Sequence, residues 1–169
     1  MARGHLDDER RELRRRGRRL VAELELRPLL AQVVEEARAL TGAGFAAAGV
    51  LDDGRLELTE FIASGVDAAT HRAIGRLPAG RGTLGRLLTE PTPIRSIDIA
   101  RRADSYGFPP GHPVMRSFLG VGIVVRGTGW GNLYMAQKAG GAQFSERDAM
   151  VAAELAAWVA GWLEPTRPR

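Results

Sequence analysis

The three histidines are the first residues to consider, because imidazole is both a metal ligand and a proton carrier near neutral pH. His5 lies near the N-terminus and His71 in a polar stretch, whereas His112 lies within the proline-rich range 109–113. Proline fixes its own φ and restricts the residue before it, so this stretch of backbone is stiff. The sequence therefore predicts that the imidazole of His112 is presented from a fixed segment.

Large apolar side chains accompany His112 along the chain. They belong to Phe108, Met115 and Phe118. A histidine in this setting is either a polar surface residue of a loop or a ligand on the wall of a flat apolar pocket. The region offers no second histidine or cysteine, so it does not indicate structural zinc, which takes four protein ligands. Haem needs only one axial ligand from the protein, because the porphyrin supplies four nitrogens.

Tyr134 is a second candidate, on a predicted strand. The alternation of side chains along a strand puts Asn132, Tyr134 and Ala136 on one face and Leu133 and Met135 on the other. Tyr134 is either a core tyrosine whose hydroxyl bonds locally or part of a ligand site. Taken alone, it favours the first interpretation.

The absence of cysteine from the 169 residues excludes several functions. These are disulfide frameworks, thiolate metal sites, cysteine nucleophiles and thioether-linked chromophores. No apolar run approaches the roughly 18 residues that cross a bilayer, and the N-terminus lacks the apolar core of a signal peptide, so we expect a cytoplasmic protein without membrane contact. The chain shows no hydrolase or kinase motif, and the sequence leaves open whether it is an enzyme.

Positive charge is concentrated at the N-terminus. Residues 1–19 hold eight arginines and four acidic residues, and the rest of the chain holds sixteen residues of each sign. A basic arm on nucleic acid is one interpretation. No helix-turn-helix pattern or aromatic stacking platform accompanies it, so we expect no nucleic-acid partner.

The same segment is rich in helix-forming residues. Leucines at positions 6, 13, 20 and 24 form a narrow stripe, which is typical of a helix that packs on a partner helix. Trp158 and Trp162 of the last predicted helix supply further apolar surface. We expect these terminal helices to form a homodimer interface.

Hydrophobic periodicity predicts an α+β fold, with an antiparallel sheet that carries the helices. Asp52-Asp53-Gly54 and Gly127-Thr128-Gly129 predict two hairpins. The predicted helices span 6–25, 28–40, 67–76, 83–89 and 146–162, and the predicted strands span 45–51, 55–64, 94–99, 118–126 and 130–137.

The range 100–117 has no sustained period, and a loop of this length is commonly functional. The predicted organisation is a basic helical arm over 1–25, one folded domain over 26–163 and a frayed tail over 164–169.

Four segments, at 43–51, 77–85, 107–121 and 131–138, resemble the GAF domain family. The most distinctive is Gly-Phe-Pro-Pro-Gly-His-Pro-Val-Met-Arg-Ser-Phe-Leu-Gly-Val at 107–121. It is similar to the haem-binding GAF domain of actinobacterial oxygen and redox sensor histidine kinases of the mycobacterial dormancy type. The resemblance covers about residues 26–162.

The resemblance implies a central antiparallel sheet with the terminal helices packed on one face. It implies non-covalent haem b with His112 as the iron ligand, and it places Tyr134 where a tyrosine hydrogen-bonds a bound gas. We expect Phe108, Met115 and Phe118 to line the haem pocket. The expected function is a sensor of oxygen, NO, CO or redox state that signals through a histidine kinase or other partner in trans, or through an output domain outside this chain. The alternative is a GAF regulatory module that binds another small ligand or acts without haem as a protein-interaction domain.

Overall fold

A computed structural model describes residues 2–23, 25–67, 82–90, 92–105, 112 and 114–167, with side chains described except at 2–4 and 18–23. Phe108 and nearly all of the predicted helix at 67–76 lie outside the described residues. The helices are α1 (Ala2–Glu23), α2 (Leu26–Thr41), α3 (Gly82–Thr89) and α4 (Glu146–Leu163). The strands are β1 (Ala43–Leu51), β2 (Leu58–Ser64), β3 (Ile94–Ser96), β4 (Phe118–Val125) and β5 (Thr128–Lys138).

The five strands form one antiparallel sheet in the order β2-β1-β5-β4-β3. Helices α2 and α4 pack on one face of it. Their apolar residues meet those of the strands in one large core, which includes Val33, Leu119, Leu133 and Leu155. The predicted α+β fold, with the terminal helices on one face of an antiparallel sheet, is confirmed.

The ends of α2 and α4 follow from local chemistry. Gly42, with a φ of 66°, ends α2, and its N–H donates to the carbonyl of Arg38. Ser145 begins α4: its hydroxyl accepts from the backbone of Asp148, whose carboxylate accepts from the backbone of Ser145.

None of the described helices combines the length and apolar character that crossing a membrane requires.

Helix α1 docks on α4 of its own chain through ion pairs. Glu154 is 4% exposed and accepts hydrogen bonds from Arg10 (2.5 Å) and Arg14 (3.0 Å). Burial alone acts to raise the pKa of Glu154, but the hydrogen bonds from Arg14 and Arg10 outweigh it and lower the pKa. The carboxylate is therefore charged at neutral pH and ties the two helices together.

Apolar contacts complete this docking and correct one expectation. Leu13 of the predicted leucine stripe is buried in the core of its own chain, and Gly17 lies directly against the ring of Trp158. The stripe was expected to face a second chain, but the heptad pattern does not specify which helix is the partner. The homodimer stays a prediction.

Two hairpins differ in detail from the sequence prediction. Strand β2 begins at Leu58 rather than at 55, because the Asp52 carboxylate accepts from the backbone N–H groups of Leu56 (2.9 Å) and Glu57 (3.2 Å) and holds a wider turn. The β4–β5 turn is made by Arg126 and Gly127, both with positive φ (50° and 78°). That conformation suits the twist of a two-residue hairpin, so β5 begins at Thr128, earlier than predicted.

The C-terminal tail also differs from the frayed segment that the sequence predicts. Residues 164–166 form a 3₁₀ turn. The Arg167 guanidinium lies 4.8 Å from the ring centre of Trp130 and pairs with Asp53. A cation over an indole face is a favourable contact, which holds the tail on the sheet.

Candidate functional site

The sheet face opposite α2 and α4 carries a second, smaller apolar cluster. We call it the site cluster; it consists of Phe45, Ala47, Leu87, Ile94, Met115, Phe118, Tyr134 and Ala136. Alternation along β1, β4 and β5 places Ala47, Phe118 and Tyr134 on this face. The structure therefore confirms the face of the sheet on which the sequence placed Tyr134. The cluster is covered from outside by α3 and by the segment that precedes β4.

Tyr134 lies in the middle of the site cluster and is 8% exposed. Its strand neighbours are Ala47 on β1 and Gly120 on β4, two small residues that leave room for the ring. The ring centres of Phe45 and Phe118 lie 5.8 Å and 6.0 Å from that of Tyr134. Burial raises the pKa of Tyr134 well above its ordinary value. The phenol therefore keeps its proton at physiological pH and can donate a hydrogen bond.

His112 lies on the segment that enters β4, and it is half-buried. Three residues further on, Met115 is 4% exposed and belongs to the site cluster, as does Phe118. Three residues of chain span at most about 10 Å, so the backbone of His112 lies within about 10 Å of that of Met115. The N–H of Ile99 donates to the carbonyl of Arg116 (2.9 Å) and holds this segment beside the residues that follow β3.

The structure brings together three of the five predicted site residues, Met115, Phe118 and Tyr134, and His112 lies three residues before Met115 on the same segment. Phe108 lies outside the described residues. The sequence interpretation missed Phe45 and Leu87, which pack in the same cluster. Phe45 could have been found from the alternation of β1, but both faces of that strand are buried and apolar, which hides the period.

Asp104 ties α3 to the segment that follows β3. Its carboxylate accepts from the Thr83 hydroxyl (2.9 Å), from Arg86 (2.9 Å) and from two nitrogens of Arg102 (2.8 and 2.9 Å). The hydrogen bonds from Arg102, and then those from Thr83 and Arg86, outweigh burial and hold the pKa of Asp104 well below its ordinary value. The ionised carboxylate thus fixes α3 above the site cluster.

A small cavity lies between Tyr134, β1, β2 and α3. About 20 Å³ of it is open to the centre of a water molecule. The residues that line it are Leu51, Leu58, Phe61, Leu84, Leu88, Gly131, Asn132 and Tyr134. One water-sized molecule needs roughly 10–15 Å³ by this measure, so the cavity accommodates one small molecule with an amide and a phenol beside it.

The metal-binding side chains available on this face are compatible with haem, but not with a metal ion that is held by protein ligands alone. In the described part of the chain, no three His, Asp or Glu side chains come together as a metal cage. One imidazole suffices where a porphyrin supplies the other nitrogens. Apolar side chains such as Phe45, Met115 and Phe118 are the material of a porphyrin-binding wall.

Known proteins share this architecture. Residues 23–164 match the family model described as GAF domain. The GAF domain of a phosphoenolpyruvate-protein phosphotransferase from Coxiella burnetii is 22% identical, with 91% of this chain and 92% of that chain covered and a TM-score of 0.74. The corresponding GAF domain from Acinetobacter is 20% identical, with 89% of each chain covered and a TM-score of 0.72. Free methionine-R-sulfoxide reductase from Neisseria meningitidis, solved with its substrate, is 22% identical, with 90% and 87% covered and a TM-score of 0.65. At these identities the solved structures establish the fold alone, whereas the family model spans most of the sequence. The chain belongs to the GAF domain family.

Proposed function

We propose that the chain is a haem-binding sensor domain whose pocket lies on the site-cluster face of the sheet. GAF domains are regulatory and sensor domains that bind small ligands. The observation that carries the proposal is an apolar cluster with a buried phenol, Tyr134, at its centre, and a half-buried histidine, His112, three residues before Met115 of that cluster.

Each residue has a distinct role in this proposal. His112 would hold the iron through one ring nitrogen in its neutral form. The Tyr134 hydroxyl would donate a hydrogen bond to a diatomic gas, and Phe45, Met115 and Phe118 would exclude water from the pocket. Haem, when bound, supplies an iron that takes up oxygen, NO or CO or changes its redox state.

The signal would pass to a separate protein, such as a histidine kinase acting in trans, or to an output domain outside this chain. The sequence resemblance to sensor kinases supports this part of the proposal.

A second candidate function is a GAF regulatory module that binds another small ligand or acts without haem through protein contacts. The small cavity favours it, because the described side chains around Tyr134 already pack closely and leave room for only one small molecule.

Haem titration of the full chain separates the two candidates. We expect saturable binding of one haem per chain in the wild type, followed by absorption near the Soret maximum. Loss of a residue that only supports a metal ligand costs about 10–100-fold in affinity, so His112→Ala should cost more. His5→Ala is the matched control, because His5 is exposed on α1. Absence of saturable binding in the wild type supports the second candidate, and equal binding by His112→Ala contradicts the role of His112.

A further inference from the structure

Three glycines on the site-cluster face form the floor on which α3 rests. They are Gly120, Gly122 and Gly129. A Cβ atom added to Gly122 would overlap the backbone carbonyl oxygen of Leu87, and one added to Gly129 would overlap that of Leu88. These are contacts with helix backbone, which cannot turn aside as a flexible side chain does.

Neither of these two glycines is required by its own backbone conformation. Gly122 and Gly129 are not among the described glycines with positive φ, so an L side chain could adopt the backbone conformation of either residue. What excludes a side chain is the close approach of α3. The glycines therefore determine how near α3 lies to the sheet.

The distance from α3 to the sheet determines the depth of the cavity beside Tyr134. Leu84 and Leu88 of α3 form one wall of the cavity, and Tyr134 lies on the opposite, sheet side. Asp104 holds the first half of the same helix through hydrogen bonds from Thr83 and Arg86. The added Cβ atoms would lie 2.2 Å and 2.0 Å from the two carbonyl oxygens, and ordinary contact begins at 3.4 Å. Helix α3 would therefore have to shift by about 1.2–1.4 Å, which would move this wall outward.

We infer that Gly122 and Gly129 set the size limit of the Tyr134 cavity by seating α3 on the sheet, and that the cavity takes one small apolar molecule of the size of a diatomic gas. The inference deepens the proposed function and rests on it for the identity of the ligand. The cavity itself exists without haem, so a haem-free experiment tests the size limit separately.

Xenon and benzene are suitable probes, because the cavity wall is mostly made of leucine and phenylalanine side chains, and cavities lined in this way bind both probes when they are large enough. Methyl NMR shifts of Leu84 and Leu88 in the full chain without haem report their entry. We expect the wild type to bind xenon and not benzene, and Gly129→Ala and Gly122→Ala to bind benzene with a dissociation constant of roughly 1 mM. Gly161→Ala is the matched control, because nothing lies within 4 Å of an added Cβ there, and it should behave like the wild type.

Leu88→Ala keeps the inference testable if a glycine variant does not fold. It enlarges the cavity by truncation instead of by displacement of α3, and it should admit benzene while both glycines stay in place. Benzene binding by the wild type, or folded Gly122→Ala and Gly129→Ala variants that still exclude benzene, would overturn the inference. Failure of haem to bind in the separate titration would overturn the proposed function and leave the size limit unaffected.

Discussion

Asp104→Asn tests whether the carboxylate of Asp104 fixes α3 above the site cluster. The substitution keeps the shape of the side chain and replaces an acceptor oxygen with an NH₂ group that faces arginine donors. Asp104 is 19% exposed, Arg102 23% and Arg86 43%. Hydrogen bonds to a charged group contribute about 1.5–3 kcal/mol, and the partial exposure of the partners places the loss at the lower end, about 1.5–2 kcal/mol.

Urea unfolding at neutral pH measures this loss. Asp8→Asn is the control, because Asp8 and its partner Arg11 are 73% and 75% exposed on α1; such a pair contributes at most about 1 kcal/mol. A free energy of unfolding for Asp104→Asn that equals that of the control would refute the proposed role.

Acid gives an independent check on the same residue. Since the pKa of Asp104 is lowered in the folded state, its contribution is present above the unfolded pKa of about 3.9 and is lost as pH falls through the folded value. The difference between wild type and Asp104→Asn should therefore be constant from pH 7 to about pH 5 and shrink below pH 4. A difference that persists undiminished in acid would show that the charge is not its source.

Three further predictions concern the ligand, the N-terminal helix and assembly. Tyr134→Phe removes one hydrogen-bond donor, and equilibrium gas titrations should show oxygen affinity weakened by roughly five- to hundredfold while CO affinity changes by only a few-fold. Equal changes in the two affinities would show that Tyr134 has a purely structural role. Gly161→Ala should stabilise the chain by up to about 1 kcal/mol through helix propensity. Gly17→Ala should destabilise it, because the added methyl overlaps the ring of Trp158. If urea unfolding shows Gly17→Ala to be more stable than Gly161→Ala, the docking of α1 on α4 is refuted. Sedimentation of the full chain should show a homodimer, and a monomer at high micromolar concentration would count against the predicted dimer.

The strand pattern made much of the candidate site predictable. Alternation in β5 separates Tyr134 from Leu133, and the structure puts these residues in the two different apolar clusters. The apolar character of Phe108, Val114 and Met115 predicted that the segment before β4 packs. Met115 is 4% exposed and does pack, whereas Val114 is 70% exposed and Phe108 lies outside the described residues. Local periodicity was sufficient for Tyr134, because burial on one face is a property of the strand itself.

Other features depend on contacts between residues distant in sequence, which no local pattern contains. The leucine stripe of α1 predicts a helical partner, but it does not say that Gly17 meets Trp158 of the same chain. The sequence places Gly122 on a predicted strand and Gly129 in a predicted turn, and their role becomes visible only when α3 is seen to rest on them. The role of Asp104 is likewise not predictable from local sequence, because its partners Thr83 and Arg86 lie on another element, α3.

The visible absorption spectrum of the full chain, isolated from cells supplied with a haem precursor, tests the central claim most directly. The proposal predicts a Soret band in the wild type that is absent from His112→Ala isolated in the same way. Because bound haem stabilises the folded state, the two proteins are compared for folding without haem, and they should then unfold at the same urea concentration. A wild type without a Soret band, or a His112→Ala variant with an unchanged one, would contradict it.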